Sequence, residues 1–257
     1  MLKKLFAGKM PLAHAALLLL STAACDRQGE TTDEQTDTTV HINMDARWGA
    51  DDFVMENVYY DNYGNRIRVD NFMTYITMLK LVKSDGTEVL LKDFYLKNFE
   101  EETSLEFKID PGIYTGIRFS LGIPPEYNTH IDPANYPSSH ALSVAGSQGM
   151  FWTWNSGYIF SKFEGKADTT GTDGASLLFN YSYHTGDAAC YMPFESTGEY
   201  FELKAGETSN INILFYVNEM LGSGPDGINV KTEYITSGGT PLGIKVASRM
   251  AGSIHIE

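Results

Sequence analysis

The chain has 257 residues, 42% of them hydrophobic and 12% aromatic, with a formal net charge of −14. That length supports one large β domain or two small ones with a real core. So acidic a chain repels phosphate, which argues against nucleic acid as a partner.

Residues 1–24 read as a leader, outside the fold. Lys3, Lys4 and Lys9 form a charged start, Leu17 to Leu20 an apolar run, and Ser21-Thr22-Ala23-Ala24 a small-residue end. Cys25 follows at once. This order is similar to bacterial lipoprotein signals, in which Cys25 becomes the first mature residue and carries lipid. The expectation is a lipid anchor at the outer membrane or cell surface, facing periplasm or exterior. No later apolar run is long enough to span a bilayer. Residues 25–39 then form an acidic tether, with Asp26, Glu30, Asp33, Glu34 and Asp37 against Arg27. With Cys25 lipidated, Cys190 has no disulfide partner. Its Ala-Ala-Cys-Tyr setting reads as a buried, inert thiol.

From Val40 to Glu257 the periodicity is that of strands. His41 to Met44 opens the series, and Asn62-Tyr63-Gly64-Asn65 is a turn. Phe72 to Val82 is too continuously apolar to separate strand from helix, but Ser84-Asp85-Gly86-Thr87 and Val89-Leu90-Leu91 make a hairpin the economical reading. Leu105, Phe107 and Ile109 alternate with charges. After Asp110-Pro111-Gly112, Ile113, Thr115, Ile117, Phe119 and Leu121 fall on one face, so a second hairpin is expected. Tyr127 to Gln148 is a long loop, functional or disordered. Lys166 to Gly174 reads as a linker and Leu177 to Tyr183 as a strand. Glu199 to Leu203 and Ile211 to Val217 read as a further hairpin. Asn218 to Gly224 reads as a helical turn, Thr240 to Met250 as a helix, and Ser253 to Glu257 as a last strand. The fold class is therefore all-β, an antiparallel β-sandwich of immunoglobulin-like type with little helix.

The densest stretch is Gly149 to Gly165, GMFWTWNSGYIFSKFEG. Spacing of two puts Trp152 and Trp154 on one face of an extended backbone. Asn155-Ser156-Gly157 then turns the chain into a second strand. Such aromatics build either a sandwich core or the wall of a site. No Gly-x-Ser-x-Gly, phosphate loop, His-Glu-x-x-His or Cys-x-x-Cys occurs, so no enzyme is expected. Histidine is the scarcer signal. His41, His130, His140, His184 and His255 are candidate metal ligands, since imidazole suits copper and zinc. His130 and His184 lead, with Asp132 placed to orient His130.

These motifs resemble those of the MbnP-like proteins, which are methanobactin-associated and copper-binding. Gly149 to Tyr158 followed by Lys162 and Glu164-Gly165 is similar to the family signature. So are Asp110-Pro-Gly-Ile-Tyr-Thr-Gly-Ile117, Leu121-Gly-Ile-Pro124, Asn128-Thr-His130-Ile-Asp132 and Tyr183-His184-Thr-Gly186. The resemblance implies a sandwich that binds copper through His130 and His184, with His140, His41 and His255 as further ligands. It also implies pairing with a dihaem, peroxidase-like partner that oxidises a tryptophan, here among Trp48, Trp152 and Trp154. Two departures are visible: a single cysteine beyond Cys25, and no tryptophan between Leu91 and Phe99. The competing reading is a surface-exposed glycan- or protein-binding module that uses the aromatic face. A third is a structural domain with a relict site.

Overall fold

The computed structural model describes residues 37–129, 132–153, 157–168, 170–172, 174 and 176–257. Its elements in chain order are β1 (Thr38–Trp48), β2 (Asp51–Asp52), β3 (Val58–Tyr60), β4 (Arg66–Lys83), β5 (Glu88–Asn98), β6 (Ser104–Ile109), β7 (Gly112–Leu121), α1 (Pro125–Asn128), β8 (Phe151–Trp152), β9 (Gly157–Asp168), β10 (Phe179–Gly186), β11 (Met192–Leu203), β12 (Thr208–Tyr216), α2 (Val217–Leu221), β13 (Ile235–Ser237), α3 (Pro241–Gly252) and β14 (Ile254–Ile256). One sheet runs β14-β12-β1-β2, with β6 also on β1. The other runs β11-β7-β4-β9-β10-β13, with β3 and β5 on β4 and β8 on β9. The fold is the expected all-β sandwich, with one correction. Pairing is antiparallel except for β1 with β12 and β10 with β13, which are parallel. Neither pair is joined by a tight turn, so nothing local fixes their direction.

The inter-sheet core follows from alternation. Val40, Ile42 and Met44 of β1 and Ile211, Ile213 and Phe215 of β12 face Val69, Phe72, Phe163, Tyr181 and Tyr183 from the larger sheet. β1 begins at Thr38, taking the last two residues of the expected tether, and β9 runs to Asp168, taking the first three residues of the expected linker. The β4–β5 hairpin, α2, α3 and β14 form where the sequence places them. Thr240 caps α3 by accepting the Gly243 N–H at 3.0 Å, with Pro241 in the first turn.

Two expected hairpins do not form. β6 pairs with β1 in the small sheet, whereas β7 pairs with β4 and β11 in the large one. Likewise β11 lies in the large sheet and β12 in the small one. Alternation tells which face of a strand is buried, not which strand lies beside it. The chain changes sheets at Asp110-Pro111-Gly112, a corner pinned by the Tyr114 hydroxyl donating to the Asp110 carbonyl at 2.9 Å. An irregularity in the β4–β7 ladder beside Tyr114 then turns Tyr114 into the core and leaves Ile113 41% exposed.

β4 explains the apolar run at 72–82. Met73 and Thr74 pair with both β5 and β9, and Ile76 to Val82 pair with β5 and β7. β7 and β9 therefore lie end to end on one edge of β4. The described residues of the excursion between them fold over the outer face of the large sheet. Outward-facing Met73 and Tyr75 are thus as buried as inward-facing Phe72 and Ile76. At Met78, φ 55°, a bulge moves the inward set to Leu79 and Leu81.

Candidate functional site

The described residues of the covering loop are packed against the sheet. Leu142 and Met150 are fully buried in a second core with Met73, Tyr75, Phe94 and Phe160. Two phenols tie the loop to the sheet. Tyr75 donates to the Ala141 carbonyl at 3.0 Å and Tyr158 to the Leu142 carbonyl at 2.5 Å. Burial pushes both phenols well above the ordinary range, so both stay protonated as donors.

The loop delivers the chain to a tight hairpin. Phe151 pairs with Tyr158 and Trp152 with Gly157. The strand closes at Trp152, and Thr153 already turns. The extended run expected through Trp154 is therefore shorter, and Trp154 lies outside the described residues, as do His130 and Cys25. Trp152 is only 7% exposed. Its ring occupies the space above Gly186, where a Cβ would lie 2.5 Å from Trp152 Cζ3. From the other side, Asn128 Oδ1 accepts the Tyr158 N–H at 2.8 Å. One hairpin thus gathers the residues flanking three separate sequence motifs: Asn128 before His130, Trp152 before Trp154, and Gly186 after His184. Asp132 spends one carboxylate oxygen capping a 3₁₀ turn, accepting the Ala134 N–H at 2.9 Å.

His184 sits on β10, two residues before Gly186 and opposite Lys162 of β9. Its Nε2 lies 2.7 Å from Glu164 Oε1 and 3.2 Å from Ser182 Oγ, and Ser182 Oγ also donates to Glu164 Oε1 at 3.2 Å. The bond from His184 holds the Glu164 carboxyl below its ordinary range. Glu164 and Ser182 did not stand out as site residues in the sequence, because their meeting with His184 depends on the β9–β10 register.

The remaining histidines lie elsewhere. His41 on β1 is opposite Asn210, with Nδ1 3.2 Å from Ser104 Oγ. His255 on β14 is opposite Leu214 and bonds Glu219 at 2.9 Å. His140 accepts the Leu142 N–H through Nδ1, stacks on Tyr136 at 4.5 Å and leans on Phe94 of β5. β5 is three strands from β10, about 14 Å across the sheet. Among the described residues no three His, Cys, Asp or Glu side chains gather as a metal cluster. As expected, Cys190 is buried, and burial raises its thiol pKa.

The sequence matches the MbnP family over residues 37–239. The chain belongs to the MbnP family. Its fold is also similar to that of MbnP from Methylosinus trichosporium. That match has a TM-score of 0.50 and 12% identity, and covers 72% of this chain and 78% of that one. No curated protein sequence matches. The matched span of this MbnP-family chain takes in the hairpin, Asn128 and His184 together. Among the described residues, no helix is long and apolar enough to cross a membrane.

Proposed function

We propose that this MbnP-family chain is a lipid-anchored, non-enzymatic protein that binds copper through histidines and sequesters it or hands it on. His130 and His184 are the principal ligands in this reading. The observation that carries it is the convergence on one hairpin, where Asn128 bonds Tyr158 and Trp152 packs on Gly186, beside His184. The donor chemistry fits. An imidazole backed by a carboxylate is the usual arrangement behind a metal-bound histidine, and imidazole suits copper. When bound, copper would supply a redox-active centre. The chain's own part is to hold the His184 imidazole on the paired strand β10, beside the hairpin that carries Trp152.

Family membership supports the further reading that a dihaem, peroxidase-like partner acts on a tryptophan near this hairpin. Cys25 carries the anchor, at the outer membrane or cell surface. Burial of Trp152 counts against the alternative glycan- or protein-binding module, because it withdraws one of the two indoles that reading could use.

Titration of the purified protein with Cu(I) and Cu(II) against a competing chelator tests the proposal. Stoichiometric binding tighter than about 1 nM, about −12 kcal/mol, is expected, and the His130→Ala/His184→Ala double variant should lose it. Micromolar binding, or a double variant that binds as well as the unaltered protein, would remove copper from the account.

A further inference from the structure

We propose that Glu164 is a positioning residue that fixes the tautomer of His184 and so selects Nδ1 as the nitrogen offered to a metal. The metal part of this inference rests on the copper reading above; the tautomer part does not.

The geometry is set by two paired strands. Glu164 of β9 stands opposite Ser182 of β10, and His184 is the next outward residue along β10. Glu164 Oε1 takes two bonds, from His184 Nε2 at 2.7 Å and from Ser182 Oγ at 3.2 Å. An ionised carboxylate can only accept, so the short contact requires the proton on Nε2. A carboxyl of ordinary acidity is ionised at neutral pH. A neutral imidazole carries one N–H. With Nε2 protonated, Nδ1 keeps its lone pair. No hydrogen bond to Nδ1 of His184 occurs among the described residues. His140 is different, since its Nδ1 already accepts the Leu142 N–H. Of these two rings, His184 is the one with its lone pair uncommitted and its opposite edge clamped.

The clamp also limits ring rotation. Ser182 Oγ lies 3.2 Å from the same Nε2, so a turn of the ring away from Glu164 costs two contacts. Carboxylates behind metal-bound histidines raise ligand basicity, and their loss typically weakens metal binding by about 10- to 100-fold.

Selective ¹⁵N-histidine labelling of the metal-free protein, read by long-range proton–nitrogen NMR, tests the tautomer without copper. The neutral ring of His184 should show a protonated Nε2 and an unprotonated Nδ1. Glu164→Ala should give a tautomer mixture and weaken copper binding by about 10- to 100-fold, while Glu164→Gln, which keeps an acceptor oxygen, should lose less of both. If the alanine variant fails to fold, the glutamine variant carries the test by the same two readouts. An Nδ1–H tautomer in the unaltered protein overturns the assignment. So do variants that match the unaltered protein in both tautomer and affinity. Weak or absent copper binding by the unaltered protein, with the tautomer as expected, would remove the metal and leave Glu164 as the residue that orients His184.

Discussion

Gly186 and Asn128 show how single residues hold the hairpin. A methyl group at Gly186 would meet the Trp152 ring at 2.5 Å. Gly186→Ala should therefore push the indole out of place, cost about 1–3 kcal/mol and change Trp152 emission. Urea unfolding followed by fluorescence checks both effects, and an unchanged midpoint would contradict the packing. Asn128→Ala removes the acceptor of the Tyr158 N–H. A part-buried donor left without a partner costs about 1–3 kcal/mol. Copper affinity should fall with it if the His130 segment needs this tether.

At the scale of elements, the covering loop is held by two phenols rather than by strand pairing. Tyr75→Phe and Tyr158→Phe each remove one donor to a loop carbonyl. Each should cost about 1 kcal/mol. Limited proteolysis should then open the chain between Pro137 and Gln148 faster than elsewhere, and cleavage at unchanged rates would mean the apolar seating of Leu142 and Met150 suffices. Thr240→Ala removes the cap of α3 and should cost about 1 kcal/mol, read as a lower thermal midpoint.

For the whole molecule, stability should depend on acid pH through its bonded carboxylates. Asp168 is held below its ordinary 3.8 by Thr170 and Arg66, and Glu88 below its ordinary 4.5 by Lys80 and Arg118. A carboxyl with a depressed folded-state pKa stabilises fully above its unfolded value and stops doing so as pH falls through the folded one. Stability from these groups should be level at neutral pH and decline below the ordinary carboxylate range. Asp168→Asn should be less stable at neutral pH and lose less on acidification, measured as urea midpoints from about pH 7 to about pH 3. A variant that keeps the full acid slope would place that dependence on other groups.

Much of this protein is determined by local pattern. Period-two alternation in β1, β6 and β12 is enough to name strands, because one face of each is the more buried. Thr240-Pro241 is enough to start α3, and Ser84-Asp85-Gly86-Thr87 to turn β4 into β5. The motifs at Asn128 to Asp132, Gly149 to Tyr158 and Tyr183 to Gly186 pointed to the family and to one shared site. Tertiary structure decided the rest. A strand's alternation carries no label for its partner, so only the assembled sheets could send β6 and β11 away from β7 and β12. The breadth of the 72–82 apolar run made sense only once a loop covered the outer face of β4. The row of Glu164, Ser182 and His184 exists because β9 and β10 pair in one register. A shift by one residue would turn those side chains to the other face.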